Sequence, residues 1–126
     1  MVKLVSLLYR KRGITNEQFY SYWREKHGPL VARVIPFARR YVQNHPLEWP
    51  GLTHEADGIV ELWFDTEEHV RKYLQWRDTA EGRELKDDED RFQDFKRTRR
   101  FVVYEYQFET TGWHWNPGAS LPDAGG

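Results

Sequence analysis

The segment over residues 57–65 most constrains the fold, because both of its faces are apolar. Alternate positions belong to two sets, Val60, Leu62 and Phe64 on one face and Ile59, Glu61 and Trp63 on the other. This twofold period is typical of a β-strand, and a strand that is apolar on both sides must be covered on both sides. We therefore predict a central strand, in which the carboxylate of Glu61 needs a partner or a polar cavity.

The other predicted elements flank this strand. Aliphatic, β-branched and aromatic residues predict three more strands, over residues 2–9, 38–46 and 99–109. In the second of them, Tyr41, Gln43 and His45 share one face, and Val42 and Asn44 share the other.

Two helical regions separate the strands. Thr15 and Gln18 form a capping box that begins the first helix, and Thr66 begins the second. A charged segment, residues 78–97, extends the second region with a break near Gly82, and its charges are typical of a solvated face. The resulting order, β-α-β-β-α-β, predicts a ferredoxin-like α+β fold with an antiparallel four-stranded sheet.

His27 lies on the apolar stripe of the first helix, in line with Phe19 and Trp23. A buried imidazole needs either a hydrogen-bond partner or a chemical role. We expect Gly28 and Pro29 to interrupt the helix directly after it. The sequence leaves two interpretations open, a core histidine that caps a broken helix end and a proton-transfer group in a cavity.

Length and composition limit the class of protein. A chain of 126 residues suits one domain, which we place at residues 1–109, followed by an irregular tail at 110–126 with Trp113 and Trp115 as possible anchors. The net charge of −1 with interspersed signs argues against nucleic acid as a partner. The absence of cysteine excludes thiolate chemistry and favours a cytoplasmic protein, and we expect no export signal and no membrane span.

One face of the predicted sheet has no element in this chain to cover it. Because the strands are apolar or aromatic on both sides, a second copy of the chain is the expected cover, and we predict a homodimer. Aromatic residues make up 16% of the chain, and large rings in a small domain fill a core, line a pocket or cover an interface.

Three separated motifs, FYSYWREKHGPL, RRYVQNH and DGIVELWFD, resemble in order and spacing the EthD family of the dimeric α+β barrel superfamily. The resemblance covers roughly residues 2–108. It implies two sheets paired into a barrel and a cavity between helices and sheet in each subunit. Relatives include cofactor-free cyclases, decarboxylases, lactone isomerases, monooxygenases and haem-binding branches, and the founding members are accessory proteins of oxidative degradation.

The resemblance also implies roles for particular residues. His27 corresponds to the family's histidine before Gly-Pro, and Tyr41 corresponds to the tyrosine that opens the second strand. The family's Gln-Asn-His triplet corresponds to Gln43, Asn44 and His45. His54 is the nearest match to a loop histidine of the lactone isomerases. The cysteine of those isomerases is missing here, which excludes a thiol-dependent variant.

These residues suggest acid/base chemistry without a cofactor on a small aromatic, polyketide-like or lactone molecule. His27 would act as general base or acid, Tyr41 or Tyr22 would donate to an oxyanion, and Asp57 or Glu61 would orient an imidazole. The full set of candidates is His27, Tyr41, His54 and Asp57 for catalysis, and Tyr22, Trp23, Asn44, His45, Glu61, Trp63 and Trp76 for substrate binding.

Competing interpretations remain for several candidates and for the whole protein. Tyr41 also suits the barrel rim, Asp57 a turn, and His45 the end of a strand. The histidines show no metal-ligand spacing, and we expect neither a metal nor another cofactor, although a single axial histidine could hold haem. The alternative functions are a non-catalytic binding or accessory protein and a cofactor-free monooxygenase.

Overall fold

The fold is a four-stranded antiparallel sheet with helices packed on one side. The computed structural model describes residues 1–112, and the predicted tail residues Trp113 and Trp115 lie outside them. The strands are β1 (Val2–Leu8), β2 (Ala38–Asn44), β3 (Gly58–Phe64) and β4 (Arg99–Tyr104), in the spatial order β2-β3-β1-β4. The helices are α1 (Asn16–Tyr22), α2 (Gly28–Val34), α3 (Glu67–Trp76) and α4 (Arg83–Phe92), with a π-helical turn at Trp23–His27 and a 3₁₀ turn at Phe95–Arg97.

This architecture confirms the predicted ferredoxin-like fold and the central place of β3. The capping box forms as expected, because the Thr15 hydroxyl accepts from the Gln18 amide and the Gln18 side chain accepts from the Thr15 amide. Thr66 caps α3 in the same way, through the amide of His69. All four strands are shorter than predicted, and β4 differs most, since it ends at Tyr104.

The sheet has two unlike sides, which we call the helix face and the open face. The helix face holds Val2 and Leu4 of β1 opposite Phe64 and Leu62 of β3, and these pack with Val70 and Tyr73 of α3 in the main core. The open face holds the intervening residues of each strand. No helix among residues 1–112 covers the open face, and Phe101 there is half exposed.

The expected break at Gly28 and Pro29 does not occur. Gly28 keeps a helical φ of −55°, and α2 continues directly from the π-helical turn. In a regular α-helix, the ring of Pro29 would clash with the carbonyl of the residue four positions earlier. The wider turn avoids that clash, and the Gly28 amide donates to the Trp23 carbonyl, five residues back.

A second core cluster lies under this turn. Trp23 and Phe19 are fully buried there, against Leu8 and Phe92. A Cβ atom at residue 58 would lie 2.4 Å from the Trp23 ring, so glycine at the start of β3 makes room for the indole. Trp23 thereby fixes the π-helical turn, and with it His27, against the sheet.

Within the described part of the chain, no helix combines the length and the apolar character that crossing a membrane requires.

Candidate functional site: a cavity between helices and sheet

A small cavity lies between the helix face of the sheet and the helices above it. The enclosed space is about 40 Å³, room for one or two water molecules, whereas pockets for organic ligands reach ~300–1,000 Å³. A larger molecule therefore enters only if lining side chains move. The polar members of its wall are Ser6, His27, Tyr41, Tyr73, Arg77, Glu89, Gln93, Thr98 and Arg100.

His27 is held in this wall by a carboxylate of α4. Its Nδ1 lies 2.7 Å from Oδ2 of Asp88, and both side chains are largely buried. A carboxylate accepts hydrogen bonds, so Nδ1 is the protonated nitrogen of the neutral ring. The other nitrogen, Nε2, has no hydrogen-bond partner in residues 1–112, which leaves its lone pair available to a molecule in the cavity.

Burial lowers the pKa of His27 below its ordinary value, because a buried site disfavours the imidazolium. The hydrogen bond that Nδ1 donates to Asp88 and the charges of Glu89 and Asp88 act in the opposite direction without cancelling this effect. The ring is therefore neutral at pH 7. A neutral imidazole with a fixed Nδ1 proton is the form that acts as a general base through Nε2.

Asp88 links His27 to the protein surface. Its second carboxylate oxygen accepts a hydrogen bond from the Tyr22 hydroxyl and lies 3.8 Å from Nε of Arg91. Tyr22 therefore contacts the partner of His27 from outside the cavity, and it does not line the cavity itself. Asp88 is thus fixed by Tyr22 of α1, His27 of the π-helical turn and Arg91 of α4, and it in turn orients the imidazole.

Tyr41 enters the cavity from β2 and is held by Gln43. The Gln43 amide nitrogen donates to the Trp23 carbonyl at 2.8 Å and to the Tyr41 hydroxyl at 2.6 Å. Since a carbonyl can only accept, these contacts fix the orientation of the amide. Its oxygen then accepts from Nε2 of His45 at 2.7 Å.

This arrangement determines what Tyr41 can do. Both amide protons of Gln43 are used, one of them on the Tyr41 oxygen, so the Tyr41 hydroxyl proton is free to donate elsewhere. Burial raises the pKa of Tyr41 to about 12, which keeps the phenol protonated at pH 7. Because Tyr41 lines the cavity, it can donate a hydrogen bond to an oxygen held there.

Gly28 allows this network to form. A Cβ atom at residue 28 would lie 2.9 Å from Nε2 of Gln43, so a larger residue would displace the amide from the Trp23 carbonyl. The glycine of the His-Gly-Pro motif thus has a packing role and does not break the helix.

A buried ion pair forms another part of the wall. The guanidinium of Arg77 donates to both carboxylate oxygens of Glu89, one of them at 3.0 Å, and also contacts the Tyr73 hydroxyl. Burial alone would lower the pKa of Arg77, but the hydrogen bond and charge of Glu89 raise it above its ordinary value. The Arg77 guanidinium therefore remains charged at any pH near neutrality.

Other predicted candidates on the helix side lie outside the cavity wall. His54 is on the surface, where Nδ1 bonds the Ala56 carbonyl. Asp57 accepts from the Arg10 amide at 2.7 Å, which is a structural role at the start of β3. Trp76 stacks on Tyr73 behind the wall. Neither Asp57 nor Glu61 orients His27, because Asp88 occupies that position.

The sheet separates the remaining candidates from His27. Glu61, Trp63 and Asn44 lie on the open face, where Glu61 and the ring of Trp63 interact with Lys3. Asn44 donates to the Ile59 carbonyl. On the helix side, Trp23 is fully buried and His45 stacks on it, with ring centres 4.1 Å apart. Both act as supports for the π-helical turn.

Sequence reasoning missed the carboxylates of α4. Asp88 and Glu89 fall three and four residues after Leu85 and shortly before Phe92, both buried. That spacing places both acids on or beside the buried stripe. The surrounding charges led us to assign the segment to a solvated face. Within residues 1–112, no three His, Asp or Glu side chains converge as metal ligands.

The fold and this cavity define the class of protein, a ferredoxin-like α+β domain with a polar cavity between helices and sheet. The EthD domain model matches residues 11–96, and the chain belongs to the EthD family. No curated protein matches the sequence significantly.

Solved structures agree on the fold. An EthD family protein of Bacillus halodurans is 23% identical over 84% of this chain and 99% of its own, with a TM-score of 0.65. SnoaB of Streptomyces nogalater, a cofactor-independent oxygenase, is 10% identical over 85% of this chain and 94% of its own, with a TM-score of 0.57. A dimeric protein of Bacteroides fragilis with a ferredoxin-like fold is 17% identical over 83% of this chain and 95% of its own, with a TM-score of 0.53.

Proposed function

We propose that this protein is a cofactor-independent acid/base catalyst for a small aromatic, polyketide-like or lactone substrate, of the cyclase, isomerase or decarboxylase type. The observation that supports this most is that His27, hydrogen-bonded to Asp88, and Tyr41 line the same cavity. His27 supplies a base and Tyr41 supplies a hydrogen-bond donor, the two groups that enolate chemistry requires.

The proposed step is a proton transfer at carbon. Nε2 of His27 takes a proton from the carbon next to a carbonyl, and the electron pair of that C–H bond moves to form an enolate. The enolate oxygen accepts a hydrogen bond from the Tyr41 hydroxyl, and Nε2 then returns its proton at carbon or to a leaving oxygen. Asp88 stabilises the imidazolium that exists between the two transfers.

Exchange of carbon-bound hydrogen for deuterium tests this step without knowledge of the full reaction. We expect the protein to accelerate exchange in D₂O, followed by proton NMR, for members of a panel that includes 1-tetralone and α-angelica lactone. His27→Gln should reduce the rate by ~10²–10⁴, the usual value of a general base. His69→Gln, a histidine outside the cavity wall, is the matched control and should exchange at the original rate.

The competing function is a non-catalytic binding or accessory protein that holds a hydrophobic compound in the same cavity. It predicts that panel members bind without exchange, or that exchange is the same in His27→Gln. A monooxygenase, suggested by the likeness to SnoaB, instead predicts oxygen uptake with substrate, which an oxygen electrode detects.

We further propose that the protein is a homodimer that pairs its open faces, as a dimeric α+β barrel. Apolar residues line this face, among them Val5, Leu7, Ile59 and Phe101, and such a surface needs a cover. The dimeric Bacteroides fragilis protein shares the fold. Sedimentation should give a dimer for the original chain and a monomer for Phe101→Asp.

A further inference from the structure

One charged side chain in the cavity wall has no opposite charge beside it. Arg100 lies on β4 opposite Ser6, on the helix face, and is partly buried. Its Cζ atom lies 4.8 Å from the centre of the Phe95 ring. Within residues 1–112, its guanidinium forms no ion pair and donates no hydrogen bond.

The wall as a whole therefore carries an excess of positive charge. It contains two guanidiniums, of Arg77 and Arg100, and a single carboxylate, of Glu89. Glu89 is already bound through both oxygens to Arg77, and His27 is neutral. Burial lowers the pKa of Arg100 and the charge of Arg77 lowers it further, while the charge of Glu89 acts in the opposite direction without cancelling them. An anion beside Arg100 would therefore stabilise its charged form.

The surroundings of Arg100 fit a flat anion. A guanidinium presents parallel N–H groups that match the two oxygens of a carboxylate, and the contact with the Phe95 ring holds the Arg100 guanidinium at this end of the wall. The hydroxyls of Ser6 and Thr98 line the same cavity. Arg100, Phe95 and Thr98 are partly exposed, while Leu4, Leu62 and Leu85 of the wall are buried, so Arg100 lies nearer to solvent than the leucines, which share the interior with the Arg77–Glu89 pair.

We propose that Arg100 is the recognition group for a carboxylate on the ligand of this cavity. The ligand is then a small organic acid whose carboxylate binds Arg100, whose apolar part packs among the leucines, and whose reacting carbon lies beside His27. This inference rests on the proposed function in taking the cavity as the substrate site. It narrows the substrate class to acids.

The test compares acids with their neutral amides. Acetate, benzoate and phenylacetate, and acetamide, benzamide and phenylacetamide, are titrated against the full chain by thermal shift and calorimetry. We expect at least one acid to bind and its amide to bind much more weakly. Arg100→Gln should weaken binding of that acid by roughly tenfold or more, the value of a charged hydrogen-bond pair.

Two variants keep the result interpretable. Arg100→Lys retains the charge without the planar fork, so its affinity should fall between those of the original chain and Arg100→Gln. Arg99→Gln removes the neighbouring arginine, which is exposed and lies on the open face opposite Leu7, and should bind the acid unchanged. Circular dichroism establishes that each variant is folded.

Three results would overturn the inference: no acid binds, the amides bind as well as the acids, or Arg100→Gln binds the acid within about twofold of the original chain. Measuring both acid binding and deuterium exchange in His27→Gln distinguishes failure of this inference from failure of the proposed function. If acid binding persists and deuterium exchange is unaffected by His27→Gln, the proposed function fails and the acid site remains. If exchange depends on His27 but acids show no preference for Arg100, the acid site fails alone.

Discussion

Asp88 and Glu89 are neighbours on α4, and the structure uses their carboxylates in two different ways. Glu89 neutralises Arg77, a group that is charged at every relevant pH. Asp88 holds His27, a group that burial keeps neutral at pH 7 and that can gain a proton during a reaction. The comparison indicates that similar burial and similar distances hold a permanent cation in one pair and a neutral imidazole in the other, and the second is the pair on which the proposed function rests.

Glu89→Gln should have the largest effect on stability. The Arg77 and Glu89 side chains are only 5% and 12% exposed, and removal of one partner of a buried pair leaves an uncompensated charge. We expect the free energy of unfolding, measured by urea denaturation, to fall by about 3–5 kcal/mol. The double variant Arg77→Met/Glu89→Leu should recover most of this loss, because it leaves no unpaired charge.

The matched control is Asp65→Asn, which breaks an ion pair with Arg39 at the surface. Solvent screens such pairs, so its denaturation curve should overlay that of the original chain. An equal loss of stability in the two variants would show that burial does not distinguish the Arg77–Glu89 pair from a surface pair.

Asp88→Asn should have a smaller effect on stability and a clear effect on His27. The change removes the negative charge that raises the pKa of His27 and replaces a charged hydrogen-bond acceptor with a neutral one, so the pKa of the imidazole should fall further. Proton NMR titration of the ring measures this shift. Asp87→Asn, on the exposed side of α4, is the control, and a rise in the His27 pKa in Asp88→Asn would contradict the assigned pairing.

Much of the fold was predictable because it depends on local pattern. The alternation in β3, the capping box at Thr15 and the cap at Thr66 are all short-range signals. The helix break was predicted wrongly, since a π-helical turn accommodates Pro29 without ending the helix. The position of this turn depends on the packing of Trp23 against Gly58 and on the hydrogen bond from Gln43 to the Trp23 carbonyl. No local sequence pattern reveals these contacts.

The site was less predictable than the fold. Helical periodicity placed His27 on a buried stripe, and strand alternation placed Tyr41 on the same face as Gln43. The partner of His27, Asp88, is 61 residues away in the sequence. It lies on α4, where exposed charged residues surround the largely buried carboxylates of Asp88 and Glu89. Alternation also separates Glu61 and Trp63 from the cavity, because they lie on the open face.

The pH dependence of stability should show the smallest difference. The pKa of His27 is lower in the folded chain than in the unfolded chain, so the unfolded state binds more protons as the pH falls. The stability that neutral His27 supports is present above the unfolded pKa and is lost as the pH falls through the folded pKa. Between pH 7 and 5, the free energy of unfolding obtained from denaturation curves should therefore fall more steeply for the original chain than for His27→Gln. Equal slopes would contradict the burial of a neutral ring.

The central claim is that His27 presents an unprotonated Nε2 to the cavity while Nδ1 donates to Asp88. Long-range ¹H–¹⁵N NMR of the imidazole at pH 7 tests it directly, because the two ring nitrogens give distinct signals for each tautomer. We predict a protonated Nδ1 and a bare Nε2, with His45 in the opposite tautomer because its Nε2 donates to Gln43. A protonated Nε2 on His27, in a neutral ring or an imidazolium, would contradict the assignment of this residue as the base.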